Sequence, residues 1–229
     1  MKFLVIEGLD GSGKSTQVEM LRQYLEKENI ACKYLHFPRT VSPVYGNLIA
    51  RFLRGDLGKI DEVHPYLVAL LFAGDRHDAA KTIESWKADE MLVLVDRYVY
   101  SNIAYQCAKL DSEKEQLELM QWILYTEYKY FNIPKPDINL FLKVPLDFVE
   151  ARLASQRQGD DRSYLQGKGD IHETDMHFQE KVRAVYELAM NSHKDITAVD
   201  CANEFGEMAT ADEIFLRIKA VLIKNEILK

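Results

Sequence analysis

The chain alternates between short, almost wholly apolar runs and longer stretches in which apolar residues return every three or four positions. The runs are "KFLVIE" (2–7), "CKYLHF" (32–37), "MLVLVD" (91–96), "INLFLKV" (138–144) and "DITAVD" (195–200). Their length and their lack of polar alternation predict strands buried on both faces, the condition of a parallel sheet. Helical spacing marks "KSTQVEMLRQYLEKE" (14–28), the stretch from about Glu62 to Lys87, and "DSEKEQLELMQWILYTEYKYF" (111–131). It marks also "LDFVEARLASQ" (146–156), "TDMHFQEKVRAVYELAMNS" (174–192) and "ATADEIFLRIKAVLIKNEI" (209–227). Strands and helices in alternation predict an α/β fold with a five-stranded parallel sheet flanked by helices on both faces. Ligands in such folds bind at the carboxyl ends of the strands.

One segment breaks the pattern. "QRQGDDRSYLQGKGDIHE" (156–173) is rich in Gly, Asp and Arg between two helical patterns. It is either an ordinary polar loop or a mobile lid that closes Arg157 and Arg162 over charged phosphates. With no linker or internal repeat, 229 residues and 47% hydrophobic content are expected to form a single domain over 1–229 with this short lid.

The formal charge of −7 argues against a protein that coats nucleic acid, whose affinity comes from clustered Lys and Arg. Three scattered cysteines, Cys32, Cys107 and Cys201, lack metal-ligand or redox spacing and suggest a reducing, cytoplasmic setting. No segment approaches the length and apolarity of a membrane span, so no membrane partner is expected.

The strongest chemical signal is "IEGLDGSGKST" (6–16), a G-x-x-x-x-G-K-S loop placed between a strand and a helix. Glycines here let backbone N–H groups turn inward around an anion, Lys14 can reach the β- and γ-phosphates, and the Ser15 hydroxyl can ligate Mg²⁺. Gly8, Leu9, Asp10, Gly11, Ser12, Gly13, Lys14, Ser15 and Thr16 are therefore the predicted ATP site. Asp96 ends the third apolar run. It either caps the following helix or organises Mg²⁺, and Arg97 beside it, facing a transferred phosphoryl group, favours the second role. Arg39 follows the second strand at the same edge of the sheet. Phe72 and Arg76, four residues apart on a helix, share one face; they are either core and solvated surface, or an aromatic plate and a donor for a base.

"FLVIEGLDGSGKST", "FPR", "LLFAGDR", "VDRYVYSNIAYQ", "PKPDINLFL" and "VDCA" occur in the order and at the spacings of thymidylate kinases, and the chain resembles that family over almost its whole length. The resemblance implies a P-loop kinase fold and transfer of the ATP γ-phosphoryl group to dTMP with Mg²⁺, in a homodimer. It implies that Asp10 contacts the 3′-hydroxyl, that Arg39 and Arg97 bind the 5′-phosphate, and that Phe72 stacks on thymine. Arg76 would donate to O4, Ser101 and Gln106 would lie near the other base edge, and Tyr105 would pack under the sugar. Some members carry an arginine after the P-loop acidic residue; Gly11 stands there here, so the missing charge is expected from Arg157 or Arg162. A deoxynucleoside kinase, which needs a carboxylate base such as Glu7 or Asp96 at a sugar hydroxyl, is the nearest alternative. A nucleotide-dependent switch is the alternative from another class.

Overall fold

A computed structural model of the chain describes residues 2–155, 164–167, 169–172 and 175–228. Its centre is a parallel sheet of β1 (Phe3–Glu7), β2 (Cys32–His36), β3 (Leu92–Asp96), β4 (Ile138–Lys143) and β5 (Ile196–Asp200), in the order β2-β3-β1-β4-β5. All five predicted runs are strands, each within one residue of its predicted ends. Burial explains their composition. β1 and β3, in the middle, are buried at every position, whereas the edge strands β2 and β5 carry exposed residues. Phe3, Leu4, Val5 and Ile6 have no exposed surface, and burying each such side chain contributes about 1.5–3 kcal/mol.

The helices are α1 (Lys14–Lys27), α2 (Tyr45–Leu53), α3 (Pro65–Ala88), α4 (Val99–Cys107), α5 (Glu113–Tyr125), α6 (Leu146–Ala154), α7 (Met176–Ser192) and α8 (Ala211–Lys224). Two of these, α2 and α4, are absent from the sequence reading. The periodic stretch 111–131 is not one α-helix either: α5 ends at Tyr125 and a π-helical turn follows over Thr126–Tyr130.

The register brings the chemistry together. Ile6 of β1 pairs with Asp96 of β3, so the loop after Glu7 and the turn at Arg97 leave the sheet side by side. Strand order reverses at β1, since β2 and β3 lie on one side of it and β4 and β5 on the other. That is the switch point at which ligands bind in open α/β sheets. Arg157 and Arg162 lie outside the described residues.

Candidate active site

α1 begins at the end of the glycine loop, where its N-cap residue Gly13 makes no side-chain cap and no acidic residue lies in the first turn. The positive end of the helix dipole thus faces the loop without a local carboxylate to neutralise it. Gly11 (φ 74°) and Gly13 (φ 80°) adopt the left-handed conformation the loop requires. At Gly8, a Cβ would lie 2.7 Å from the Ser12 hydroxyl oxygen. Lys14 lies folded over this loop, donating to the Leu9 carbonyl at 2.7 Å and the Gly8 carbonyl at 3.3 Å.

The loop opens into a cavity of about 410 Å³ whose walls include Asp10, Ser15, Arg39, Phe72, Arg76, Asp96, Arg97, Ser101, Tyr105 and Gln106. They come from the glycine loop and the start of α1, the loop after β2, α3, the end of β3 and the turn after it, and α4. Arg97 leaves β3 with φ 64°, a conformation that strains a long side chain by about 1–3 kcal/mol. Its backbone N–H bonds to the Ile6 carbonyl at 2.9 Å, which holds the turn against β1. From there its guanidinium donates to Asp10 Oδ1 at 2.6 Å and to the Gly8 carbonyl at 3.0 Å. Asp10 also accepts from the Tyr105 hydroxyl (2.8 Å) and from Gln179 Nε2 (3.2 Å). Burial alone would push the Asp10 carboxyl up, but Arg97 and then Lys14 outweigh it and hold it well below the usual carboxylate range.

Asp96 sits 3 % exposed at the floor. Its Oδ2 lies 3.2 Å from His36 Nδ1, while Oδ1 is buried with no hydrogen-bond partner among the described residues. Burial works against its charge, and His36, Lys14 and Arg97 prevail in keeping it ionised. A buried, ionised oxygen left without a donor, opposite Ser15 in the same cavity, suits a hard divalent cation or its water shell.

At the far end the chemistry changes. Phe72 and Arg76 both reach the cavity from α3, so the face they share is the inner one. Arg76 is 2 % exposed and bonds Glu127 through Nε at 2.5 Å and Nη2 at 2.7 Å. Burial works against its charge, and the Glu127 carboxylate outweighs that and holds the guanidinium above its ordinary value. Arg39 is tied to α3: its Nε donates to Asp75 Oδ1 at 2.9 Å and its Nη2 to Asp78 Oδ2 at 2.6 Å. A Cβ on Gly74 would lie 2.2 Å from the Tyr45 ring, so that glycine is what lets α2, and the loop bearing Arg39, close on α3.

A match to the family described as thymidylate kinase covers residues 6–211. A thymidylate kinase of Mycobacterium tuberculosis is 34% identical over 81% of this chain and 85% of its own. One from Plasmodium falciparum is 32% identical over 77% of each. The chain belongs to the thymidylate kinase family. Among solved structures, thymidylate kinase from Candida albicans superposes with a TM-score of 0.72 at 28% identity, covering 98% of this chain and 92% of that one. The P-loop kinase fold and the reaction class follow: this is a kinase that phosphorylates dTMP at the expense of ATP.

Four of the six motifs that carry the resemblance, the glycine loop, "FPR", "LLFAGDR" and "VDRYVYSNIAYQ", line one cavity, with some of their polar atoms already engaged; "PKPDINLFL" and "VDCA" contribute no residue to its walls. The Ser101 hydroxyl donates to Glu7 and lies 3.0 Å from the Tyr186 hydroxyl. Gln106 Oε1 accepts from Lys109 Nζ at 2.7 Å. Burial pushes the Lys109 ammonium down to about 7.

Three residues escaped the sequence reading. Gln179 of α7 holds Asp10 from 169 positions away in the chain. Asn102 lines the cavity; its Nδ2 donates to the Ala69 carbonyl at 3.0 Å and Glu127 Oε1 at 2.9 Å, and its buried Oδ1 has no partner. His172 closes the cavity roof, stacked on Phe178 with centroids 5.6 Å apart. Asn102 stood inside the quoted "VYSNIAYQ", where helical spacing puts it one position from Ser101 and on a different face. Nothing in sequence spacing marked the other two.

Proposed function

We propose that Mg²⁺·ATP binds on the loop Gly8 to Thr16 and that its γ-phosphoryl group passes to the 5′-phosphate of dTMP held in the adjoining cavity, giving dTDP and ADP. The observation that carries this reading is the Arg97–Asp10 ion pair, which joins the phosphate-binding loop to the wall of the adjoining cavity. Lys14 and the amides opening α1 hold the donor phosphates. Arg97 neutralises charge between donor and acceptor, and Arg39 approaches the acceptor phosphate through Nη1, the guanidinium nitrogen its bonds to Asp75 and Asp78 leave over. Asp10 accepts a hydrogen bond from the 3′-hydroxyl on the lone pair remaining after its three present donors. Tyr105 packs under the sugar and Phe72 stacks on the base. Arg76 donates to O4, Asn102 Oδ1 accepts from N3–H, and Ser101 and Gln106 border the base.

Mg²⁺ would be held by Ser15 and by Asp96, the latter through its unpartnered Oδ1. When bound, it supplies positive charge to the phosphate oxygens that gain charge in the transition state. The acceptor phosphate is ionised at neutral pH, so no general base is required. Glu7 fits that view. Its carboxylate is fully buried, accepts from the Tyr98 and Ser101 N–H groups at 3.0 and 3.2 Å, and does not line the cavity. Burial raises its pKa. It caps α4 from β1 and leaves the deoxynucleoside kinase reading without its base at that position.

Arg157 and Arg162 of a lid over 156–173 remain the proposed source of the charge that Gly11 does not supply. We also infer a homodimer, supported by Leu67 and Leu70, exposed within one turn of each other on α3. Light scattering should then give twice the 26.5 kDa chain mass. A cytoplasmic setting is supported by the free thiols of Cys32, Cys107 and Cys201, and fractionation of cells would check it. No helix among the described residues is long and apolar enough to cross a membrane.

Substituting Asp96→Asn tests the metal assignment. It should lower kcat by on the order of 10²–10³, raise the Mg²⁺ concentration needed for half-maximal rate, and leave dTMP affinity measured by calorimetry near wild type. An unchanged Mg²⁺ requirement would remove Asp96 from the metal site.

A further inference from the structure

The π-helical turn Thr126–Tyr130 inserts Glu127, with no exposed surface, behind the wall of the base end of the cavity. Wide turns of this kind recur at functional sites, and here the turn places one carboxylate against two residues that face the cavity. Glu127 Oε1 accepts from both Arg76 Nη2 (2.7 Å) and Asn102 Nδ2 (2.9 Å), and its Oε2 accepts from Arg76 Nε. The carboxylate itself does not line the cavity.

The consequence is a fixed polarity. Both Nδ2 hydrogens of Asn102 are used, one by the Ala69 carbonyl and one by Glu127. Flipping the amide would set its oxygen against two acceptors, so Oδ1 must be the atom presented elsewhere, and it is buried without a partner in the cavity wall. Arg76, gripped along its Nε–Nη2 edge, presents only N–H donors. We propose that Glu127 is a positioning residue that sets which base edge the enzyme accepts, by fixing a donor at Arg76 and an acceptor at Asn102 side by side.

A pyrimidine with a 4-oxo group and a 3-NH offers an acceptor beside a donor and meets this pair. A 4-amino pyrimidine offers a donor beside an acceptor and meets it with both polarities reversed, leaving buried groups unpaired. Sites built this way discriminate strongly, because the mismatched ligand strands polar atoms out of water. The inference rests on the reading of Arg76 and Asn102 as base contacts.

The test is steady-state kinetics of the full-length enzyme with dTMP and dCMP as acceptors, on Glu127→Gln, Glu127→Asp and Asn102→Ala, singly and with each Glu127 change combined with Asn102→Ala. Glu127→Asp keeps the charge, draws it back by one methylene, and serves if Glu127→Gln does not fold. Either change should raise KM for dTMP by roughly tenfold or more, as expected on loosening hydrogen bonds to charged groups. It should leave KM for ATP unchanged and kcat within about threefold, and cut the dTMP:dCMP ratio of kcat/KM by roughly tenfold. In the Asn102→Ala background the same change should cost less, because the two sites are coupled. A lowered melting temperature with an unchanged dTMP:dCMP ratio would overturn the proposal and leave Glu127 as a structural ion-pair partner. If Asn102→Ala raises KM for dTMP and neither Glu127 variant does, the inference fails while the base-end reading stands. If Asn102→Ala has no effect on KM, that reading fails and takes the inference with it.

Discussion

At the scale of single residues, the site is organised by charges that are already neutralised within the protein. Arg97 spends its donors on Asp10 and the Gly8 carbonyl, and Arg39 is held by Asp75 and Asp78. Buried guanidinium groups need such partners, since an isolated charge would be strongly destabilising. Phe72, by contrast, is partly exposed, packs against the cluster of Ile49, Phe52, Leu53 and Val68, and lines the cavity. Phe72→Ala should raise KM for dTMP by roughly 10–100-fold, the equivalent of about 1–3 kcal/mol of base stacking, with KM for ATP unchanged. Equal effects on both substrates, with a lower melting temperature, would mark Phe72 as core packing instead. Phe72, Arg76 and Arg97, which line the cavity, are marked in the sequence because each sits in a short motif whose spacing has a mechanical meaning. Gln179 and the polarity of Asn102 are not, because what selects them is a partner distant in the chain, Asp10 for one and Glu127 for the other.

At the scale of elements, the same contrast holds. The strands are legible because β1, β3 and β4 are buried at almost every position and read as apolar runs, broken only by Asn139 in β4 before their polar ends. α4 is not, since every residue of "VYSNIAYQC" is buried and no polar face gives it a period. α2 is only nine residues long and follows a turn in which Val44 adopts φ 61°. The 111–131 pattern ran past Tyr125 because a π turn changes the spacing by a single residue per turn.

The roof segment bearing His172 yields a prediction at this scale. Burial, then Lys109 and Arg97 against the opposing pull of Asp10, drives the His172 imidazole from the ordinary 6.5 down to about 3. A histidine neutral when folded contributes stability that is complete above pH 6.5 and is lost as pH falls towards about 3, because the unfolded chain takes up the proton first. His172→Leu should therefore flatten the fall in melting temperature between those limits by the equivalent of about 1–3 kcal/mol. Melting curves across that range that run parallel for both proteins would show that His172 titrates normally. On the opposite side of the P-loop, a Cβ on Gly11 would lie 3.3 Å from Arg152 Cβ. With φ 74° besides, an arginine grafted at that position would be strained, which supports a charge arriving from outside the loop.

At the scale of the whole molecule, the strand order puts the phosphate loop after β1, the Asp96–Arg97 turn after β3 and the helices bearing Phe72 and Asn102 around one crevice. In the proposed reading the two ends of that crevice differ in chemistry, with anion binding assigned to Lys14 and base reading to Arg76 and Asn102. An acceptor must satisfy both ends at once. A coupled assay of ADP release with ATP and Mg²⁺ over dTMP, dUMP, dCMP, dGMP, dAMP and unphosphorylated thymidine tests that claim most directly. The highest kcat/KM is expected with dTMP, with a value for dCMP lower by on the order of 10³ or more and no turnover of thymidine. Efficient phosphorylation of thymidine, or equal rates with dTMP and dCMP, would contradict that claim.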